Sequence, residues 1–392
     1  MPNMRHPISA VLAVCLIAAG ARLLVANDSP SPTAAAREAS SLDAVLIGYF
    51  GPSDPLHPGA GDMWRAASMA VEQANKAGGY EGIPFQLVPA WSESPWAAGV
   101  TDVVRLAFVH KVWALVGGVD GPSTHLAEQV IAKARLALVN PVATDKTVNL
   151  APIPWVFSCA PPDDAQARVL ARVIAAGARP RPFVIVSATD HDSHLFTVEL
   201  LKALGTCKSS PAYHFQFDPQ ERTHREVMEQ AERSDPNAVV LIAQADAGAQ
   251  CLRHLRDRGC KAPVFGGPWM GSRAFLEQAG RAAEGVIFPN LLASSPTWPS
   301  FEQEYARRFE RAPDYLAAHA YDATTITITA IRRGGLDRAG IIAALKETTP
   351  WQGVGGEIRW NSFGTNSRPV SLGTVRDGRI LPFDQPEQTE RR

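Results

Sequence analysis

The sequence predicts an α/β fold of two doubly wound, Rossmann-like lobes. Its 392 residues are more than one hydrophobic core ordinarily supports, so two domains are expected. From Leu42 onward, short apolar runs alternate with longer amphipathic runs, which is the order of strands and helices around a parallel sheet. The same alternation begins again near Phe183, and this repetition predicts a second lobe of the same kind.

The first series predicts four strands and three helices. We expect strands at 44–49, 84–88, 112–116 and 136–139, and helices at 62–77, 95–110 and 123–134. In the first helix, apolar side chains between Met63 and Ala74 recur at helical spacing. Gly78 and Gly79 end that helix, because glycine readily adopts the backbone conformation that closes a helix.

The second series repeats this order and leads into a run of helices. Its predicted strands are 183–187, 213–217, 238–242, 263–266 and 285–288, and its predicted helices are 193–204, 221–233 and 247–258. Three further helices are expected at 299–311, 317–332 and 338–347, followed by antiparallel strands at 356–360 and 370–375.

The N-terminal residues have the composition of an export signal. Arg5 and His6 precede an apolar run, so we expect residues 1–26 to be a signal peptide and residues 27–41 to be a flexible spacer. Two alternatives are a lipid anchor at Cys15 and retention of the apolar patches as a membrane anchor. The final residues, 386–392, are expected to be a disordered tail.

Composition and charge argue against several classes of partner. The chain is 46% hydrophobic and 20% charged with a formal net charge of −1, so it lacks the basic character of nucleic-acid-binding proteins. We therefore expect a small-molecule ligand and no nucleic acid. Beyond Cys15, an exported protein is equally compatible with disulfides and with buried thiols among Cys159, Cys207, Cys251 and Cys260.

Ligands of such sheets bind beyond the carboxyl ends of the strands, so the loops at those ends are the candidate site. One of them, residues 187–195, reads Ser-Ala-Thr-Asp-His-Asp-Ser-His-Leu. Imidazoles and carboxylates are common zinc ligands, so His191, Asp192 and His194 could hold a metal ion. Alternatively the loop only contacts a ligand, and Asp192 or Ser193 caps the following helix.

Six segments of the sequence, taken together and in order, indicate a family. The first is the predicted helix within 61–79. The others are Val-Gly-Gly-Val-Asp-Gly-Pro-Ser-Thr at 116–124, Val-Asn-Pro-Val-Ala-Thr at 139–144, Pro-Trp-Val-Phe-Ser-Cys-Ala-Pro at 154–161, Gly-Gly-Pro-Trp-Met-Gly-Ser at 266–272 and Ala-Glu-Gly-Val at 283–286. This ordered set resembles the type I periplasmic binding proteins of the branched-chain amino-acid (Leu/Ile/Val) binding class, with 61–79 similar to the first helix of that family. The resemblance covers nearly all of residues 42–376.

The resemblance implies two lobes that close on a ligand around three hinge crossovers. One lobe is expected to combine 42–159 with 291–349, and the other 160–290 with 350–385. The crossovers are then expected near 158–160, 289–292 and 349–351. The family also implies a periplasmic location and delivery of the ligand to an ABC-transporter membrane permease, and we expect a monomer.

In the first lobe, the resemblance places ligand contacts on two loops. One loop contributes Asp120, Gly121 and Ser123, and the other contributes Val142, Ala143 and Thr144. Backbone N–H groups and a hydroxyl at the start of a helix attract an anion, which suits the carboxylate of an amino acid. The alternative for Ser123 is that it only caps its own helix.

In the second lobe, the sequence departs from the amino-acid binders. By resemblance, the acid that pairs with the ligand ammonium is replaced by Trp269, and a tyrosine position is replaced by His191. Gln244 and Asp246 follow the next strand and are candidate polar contacts, or helix caps. A buried ammonium without a carboxylate partner is unfavourable, so we expect a ligand other than an ordinary branched-chain amino acid. An aromatic or otherwise planar ligand could stack on Trp269.

The expected role is therefore a non-enzymatic binding protein that needs no cofactor. Neither a H-E-x-x-H nor a G-x-S-x-G motif occurs. One alternative is a periplasmic sensor domain that reports to a membrane signalling partner through the same closure. Another is a metal-binding protein that uses the histidines of 187–195.

Overall fold

The computed structural model of the protein describes residues 42–92, 95–150, 153–177, 182–221 and 223–383, the side chains of 95–97 excepted. The predicted signal peptide, spacer and C-terminal tail lie outside the described residues, as does Cys15. Within the described part of the chain, every helix is too short or too polar to cross a membrane.

The first segment of the chain builds a five-stranded parallel sheet. Its elements are β1 (Val45–Phe50), α1 (Gly61–Lys76), β2 (Phe85–Ala90), α2 (Pro95–Val104), β3 (Ala114–Gly117), α3 (Gly121–Ala134), β4 (Leu138–Asn140) and β5 (Val156–Ser158). The strand order is β2-β1-β3-β4-β5. A π-helical turn, Arg105–Val109, continues α2 to the end of the predicted helix. The strand β5, which has three residues, was not predicted.

The second segment builds the core of a seven-stranded sheet. Its elements are α4 (Asp163–Gly177), β6 (Phe183–Ala188), α5 (His191–Thr206), β7 (Tyr213–Phe217), α6 (His224–Arg233), β8 (Ala238–Ile242), α7 (Ala245–Asp257), β9 (Val264–Gly266), α8 (Arg273–Ala279) and β10 (Ile287–Asn290). The strands β7, β6, β8, β9 and β10 pair in parallel in that order. The helices α4 and α8 add to the predicted elements.

The third segment returns to the first lobe. It consists of α9 (Trp298–Phe309), α10 (Tyr315–Gly334), α11 (Arg338–Thr348) and the hairpin of β11 (Trp351–Gly353) and β12 (Gly356–Ile358). Apolar side chains of α10, including Ile331, pack in one cluster with those of β1, including Val45. This face of the first sheet is therefore covered by helices from both segments.

The hairpin corrects the predicted lobe boundary at residue 350. Asp322 on α10 accepts hydrogen bonds from Val354 N at 2.7 Å and from Gly355 N at 2.9 Å. Ile358 is buried in the apolar cluster of the first lobe. Because the hairpin satisfies its backbone donors and buries its apolar side chain there, it belongs to the first lobe and not to the second.

The last segment completes the second sheet with β13 (Ser371–Arg376) and β14 (Arg379–Pro382), which are antiparallel to their neighbours in the order β14-β13-β10. The third crossover therefore lies between Ile358 and Ser371, later than the predicted 349–351. It is tied to the first crossover, since Trp360 Nε1 donates to the Ser158 carbonyl at 2.8 Å and Asn366 Nδ2 donates to the Cys159 carbonyl at 2.6 Å.

The predicted fold class is confirmed, with two α/β lobes built on parallel sheets. Both lobes have separate apolar clusters on the two faces of their sheets. The four described cysteines are free thiols, and Cys159 and Cys251 are buried. Of the two alternatives for the cysteines, the structure therefore contains thiols, including at Cys251 and Cys260.

Candidate functional site

A cavity of about 390 Å³ lies between the two lobes. It is bounded by loops at the carboxyl ends of strands, as expected for doubly wound sheets. The first lobe contributes His57, Gly59, Ala60, Met63, Val119, Asp120, Pro122, Val142, Thr144, Tyr315 and Leu316, and the second contributes Asp190, His191, Asp192, Gln244, Ala245, Trp269, Ser272 and Ala274.

Six of the ten predicted site residues line this cavity. They are Asp120, Val142, Thr144, His191, Gln244 and Trp269. Gly121, Ser123 and Ala143 lie in the same loops but are not part of the lining. Asp246 is exposed on the first turn of α7, where it accepts a hydrogen bond from Gln250 Nε2 at 3.0 Å. The prediction of a ligand contact at Asp246 is therefore not supported by its position.

The polar groups of the loop before α3 form hydrogen bonds mainly with one another. Asp120 is the N-cap of α3 and accepts from Ser123 N at 2.8 Å, while Ser123 Oγ accepts from Asp120 N at 3.3 Å and from Val119 N at 3.0 Å. This is a capping box. Ser123 therefore has the structural role given above as the alternative to ligand binding.

The other predicted loop of the first lobe, residues 142–144, is held in place by Asn140 at the end of β4. Its buried side chain accepts from Val142 N at 3.1 Å and from Ala143 N at 2.9 Å, and its amide nitrogen donates to the Ala143 carbonyl at 2.9 Å. The Ala143 N–H is thus unavailable to a ligand. Thr144 follows at the cavity wall, and its carbonyl accepts from Asp163 N at 2.8 Å at the start of α4.

Asp192 of the second lobe reaches the N-terminus of α3 in the first lobe. Both of its carboxylate oxygens lie 3.2 Å from Gly121 N. A Cβ added to Gly121 would come within 2.5 Å of Asp192 Oδ1, so this approach requires glycine. The position where an anion was expected on the first lobe is therefore taken by a carboxylate of the protein itself.

This contact corrects the predicted cap of α5. The N-cap is Asp190, whose Oδ1 accepts from Ser193 N at 3.1 Å, and neither Asp192 nor Ser193 occupies that position. Asp190 Oδ1 also accepts from Gln244 Nε2 at 3.4 Å, while its Oδ2 is buried without a hydrogen-bond partner. One acceptor on this side of the cavity is therefore unpaired among the described residues.

The cavity lining carries negative but no permanently positive side chains. Asp120, Asp190 and Asp192 line it, and none of the described lining residues is a lysine or an arginine. Burial raises the pKa of Asp192 well above its ordinary value, and the charge of Asp120 raises it further. The repulsion between such closely spaced carboxylates decreases when a cation, or a molecule with several hydrogen-bond donors, enters the cavity.

Two aromatic side chains, Trp269 and Tyr315, belong to the wall together with several aliphatic residues. Trp269 lines the cavity and also packs edge-on against Phe196, with ring centroids 5.8 Å apart. Tyr315, on the first turn of α10, was not predicted, and burial raises its pKa above the ordinary value. His57 Nδ1 accepts from Ala60 N at 3.1 Å within a turn, and the residue also lines the cavity.

We call His125, Asp145 and His191 the histidine cluster, which joins the lobes beside the cavity. Asp145 Oδ2 lies 2.8 Å from His125 Nε2 and 3.2 Å from His191 Nε2. Glu128 Oε2 lies 2.7 Å from His125 Nδ1. Hydrogen bonds to Asp145 and Glu128 raise the pKa of His125 to about 10. Burial acts to raise the pKa of Asp145, but hydrogen bonds from His125 and Thr147 hold it well below its ordinary value.

The histidine cluster replaces the predicted metal-ligand set. The structure separates His191, Asp192 and His194, because Asp192 turns to Gly121 and His194 is exposed on α5. Within the described residues, the group of three histidine, cysteine or acidic side chains with ligand atoms inside 4.8 Å of one another is the histidine cluster. His125 is the residue from which this cluster could have been predicted, because it lies near the start of α3 and faces the same strand ends.

We call Asp62, Arg273 and Asp314 the arginine cluster, which joins the lobes at another stretch of the cavity wall. Arg273 Nη2 donates to Asp62 Oδ2 at 2.8 Å, and Arg273 N donates to Asp314 Oδ2 at 2.9 Å. Tyr305 Oη donates to Asp62 Oδ1 at 2.8 Å. Burial acts to raise the pKa of Asp62, but the hydrogen bonds from Arg273 and Tyr305 lower it below its ordinary value.

Comparison with known proteins identifies the fold and the family. A sequence model described as periplasmic binding protein matches residues 44–379. The leucine-, isoleucine-, valine-, threonine-, and alanine-binding protein of Pseudomonas aeruginosa is 21% identical over 313 residues, covering 79% of this chain and 84% of that protein. The Leu/Ile/Val-binding protein BraC3 of Rhizobium johnstonii is 22% identical over 351 residues, covering 86% and 93%.

Solved structures share the two-lobed architecture. The branched-chain amino acid transporter substrate binding protein LivJ of Streptococcus pneumoniae, in complex with isoleucine, has a TM-score of 0.78 at 20% identity and covers 86% of this chain and 97% of its own. A solute binding protein of R. palustris in complex with benzoate has a TM-score of 0.77 at 15% identity, with 86% and 95% covered. The chain therefore belongs to the periplasmic binding protein family, as a solute-binding protein of the ABC-transporter type.

Proposed function

We propose that this protein captures a small molecule that carries a positive charge or several hydrogen-bond donors next to a planar or aromatic group. The observation that carries the proposal is the cavity lining, in which Asp120, Asp190 and Asp192 occur without a lysine or arginine among the described residues. A cation within the cavity would be attracted to all three carboxylates. Asp190 Oδ2 is buried without a hydrogen-bond partner among the described residues, so a ligand N–H that reaches it would satisfy it.

The aromatic side chains support a planar partner for this charge. The Trp269 ring lines the cavity while Phe196 supports it from behind, so that its position is fixed before a ligand arrives. Aromatic faces attract both planar rings and cations. The structural neighbour in complex with benzoate supports the view that this fold accommodates a planar ring, although the acidic lining here favours the opposite charge.

The Asp192 contact argues against an ordinary branched-chain amino acid. A carboxylate at the N-terminus of α3 would have to displace Asp192 from Gly121 N, and its charge would be added to those of Asp120 and Asp190. Like charges within a few ångströms of one another raise the free energy of the bound state. A ligand that lacks a carboxylate leaves this interlobe hydrogen bond in place.

A thermal-shift series of matched aromatic compounds tests the charge preference. Benzamidine, benzamide and benzoate share a ring and differ in charge, and leucine represents the amino acids. We expect the melting temperature to rise most with benzamidine and least with benzoate, because a ligand stabilises the folded state in proportion to the logarithm of its concentration relative to Kd. A larger rise with benzoate or leucine than with benzamidine would contradict the proposal.

Two variants connect the preference to the lining. Asp190→Asn should weaken the compound that gives the largest shift by about tenfold, since a hydrogen bond to a charged group contributes about 1.5 kcal/mol or more. Trp269→Ala should weaken it through loss of ring contact by about 1 kcal/mol. Asp246→Asn is the matched control, because Asp246 is exposed outside the cavity, and its affinity should equal that of the wild type.

The cellular location of the protein and its membrane partner belong to the same proposal. We expect export to the periplasm, action there as a monomer, and delivery of the ligand to an ABC-type permease; the family match supports this role. A sensing role would use the same closure but a membrane signalling protein in place of the permease. Stimulation of ATP hydrolysis by the reconstituted permease, dependent on ligand, is the expected result, and its absence would favour the sensor.

A further inference from the structure

We propose that the histidine cluster is a binding site for a divalent transition-metal ion held between the two lobes. The ligand atoms of His125, Asp145 and His191 all lie within 4.8 Å of one another. Both histidines turn Nε2 toward one oxygen, Asp145 Oδ2, at 2.8 Å and 3.2 Å. Three donor atoms from three separate segments therefore converge on one point.

The spacing is close to what a metal ion needs. Zinc binds histidine nitrogen and carboxylate oxygen at roughly 2.0–2.2 Å, so neighbouring ligands in a tetrahedral site lie about 3.4 Å apart. The contacts of Asp145 Oδ2 with His125 Nε2 and His191 Nε2, at 2.8 Å and 3.2 Å, are shorter than this by about 0.6 Å and 0.2 Å and would lengthen when a metal ion binds. The side chain of His191 is 38% exposed and that of His125 is 30% exposed, so small ring movements meet little resistance and a fourth ligand can approach.

A second layer of hydrogen bonds orients the proposed ligands. Glu128 Oε2 lies 2.7 Å from His125 Nδ1, which fixes that ring with Nε2 facing the cluster. Thr147 donates to Asp145 Oδ1 from its N at 2.8 Å and from its Oγ1 at 2.7 Å, which leaves Oδ2 for the metal ion. Carboxylates and backbone groups behind the ligands are the usual support of metal-binding histidines.

The local charge also fits a divalent cation. Asp145 and Glu128 are only 4% and 5% exposed, and histidines that bind a metal ion are neutral. Two buried carboxylates beside two neutral imidazoles would have a charge of −2, which a divalent ion cancels. Two nitrogen donors and one oxygen donor suit zinc, nickel, cobalt or copper, whereas calcium and magnesium require oxygen ligands.

The site would couple metal binding to closure of the lobes. His125 and Asp145 belong to the first lobe, whereas His191 is the first residue of α5 in the second lobe. The lobe arrangement described here brings all three ligands together, so a bound metal ion would favour it over one that separates the lobes. Because His191 also lines the cavity, metal and ligand should each raise the affinity of the other, whatever the ligand is.

Zinc titration of the purified full chain tests the site. After treatment with chelator and its removal, we expect calorimetry to show one saturable Zn²⁺ site per chain, and Co²⁺ to give the visible absorption of a tetrahedral nitrogen–oxygen site. His191→Ala should weaken Zn²⁺ binding at least tenfold and abolish the Co²⁺ absorption. His194→Ala is the matched control on the same helix, exposed and outside the cluster, and should bind both ions like the wild type.

Glu128→Gln adds a variant that leaves all three ligands in place. It should weaken Zn²⁺ binding by about tenfold, as loss of an outer hydrogen bond usually does. Circular dichroism establishes that each variant is folded. The proposal is wrong if the folded wild type shows no saturable Zn²⁺ binding, in which case the cluster is an ion pair only, or if His191→Ala and His194→Ala bind Zn²⁺ equally well.

Discussion

The arginine cluster and the histidine cluster both join the two lobes beside the cavity, yet they differ in how their charges are balanced. In the arginine cluster, Asp62 is paired with Arg273 and also receives Tyr305, so it is satisfied by side chains of the chain. In the histidine cluster, Asp145 and Glu128 face imidazoles, whose charge depends on protonation. The charge of Asp62 in the arginine cluster is therefore balanced within the protein, whereas the histidine cluster has the ligands for a metal ion.

This difference shows that an interlobe carboxylate takes its role from its partners. Asp62 and Asp145 are both buried, and both lie on the first lobe near the cavity. A guanidinium stays ionised at every ordinary pH and its planar fork fits a carboxylate. The charge of an imidazole depends on its partners, because the ring can hold a proton beside carboxylates or release it to bind a metal ion. Substitutions in the two clusters should therefore change the stability of the protein by different amounts.

The largest expected effect is on the arginine cluster. Asp62→Ala removes the buried carboxylate partner of Arg273 at the lobe junction, where the arginine side chain is only 17% exposed, and leaves it the exposed Glu277. Loss of one partner from a buried ion pair destabilises a protein by about 3 kcal/mol, and urea unfolding should show a decrease of this order. Glu277→Ala is the control, because Glu277 also pairs with Arg273 but is 60% exposed, so about 0.5 kcal/mol is expected. Equal losses in the two variants would show that the cluster does not hold the lobes.

The next effect is the pH dependence of that difference. The pKa of Asp62 is lowered in the folded state from its model-compound value of 3.8. Its contribution to stability is therefore present above pH 3.8 and is lost as the pH falls through the folded pKa. The stability difference between wild type and Asp62→Ala should stay constant from about pH 5 to about pH 8 and shrink in stronger acid. A difference that declines between pH 8 and pH 5 would contradict this assignment.

The smallest effect is expected for the histidine cluster in the presence of chelator. Without a metal ion, His191→Ala removes a contact of a side chain that is 38% exposed, and such pairs contribute only about 0.5 kcal/mol. His194→Ala should change the free energy of unfolding by less than that, since His194 is exposed outside the cluster. If His191→Ala destabilised the chelated protein as much as Asp62→Ala, the two clusters would be equivalent and the comparison would fail.

The fold was accessible from the sequence because its signals are local. Short apolar runs and amphipathic helices repeat twice along the chain, and this repetition predicted the two lobes. The short strand β5 was not predicted, and the lobe of the hairpin of β11 and β12 was predicted incorrectly, although a strand was expected at 356–360. Only the packing of Ile358 and the hydrogen bonds to Asp322 decide which lobe the hairpin joins.

The site was accessible only in part. The positions of strand ends predicted which loops face the cavity, and Thr144, His191, Gln244 and Trp269 line it. The use of each polar group was not predictable from residue type. Ser123 reads equally well as a ligand contact and as part of a capping box, and only the coordinates of its hydroxyl distinguish the two.

The sequence by itself determined the order of the elements, the two-lobed class and the family resemblance, because hydrophobic periodicity and short motifs are properties of neighbouring residues. The tertiary structure alone decided the partners across the cleft. His191 meets Asp145, Asp192 meets Gly121 and Arg273 meets Asp62 over separations of 46, 71 and 211 positions. Contacts at such distances depend on how two separately folded lobes face each other, and no local pattern records that arrangement.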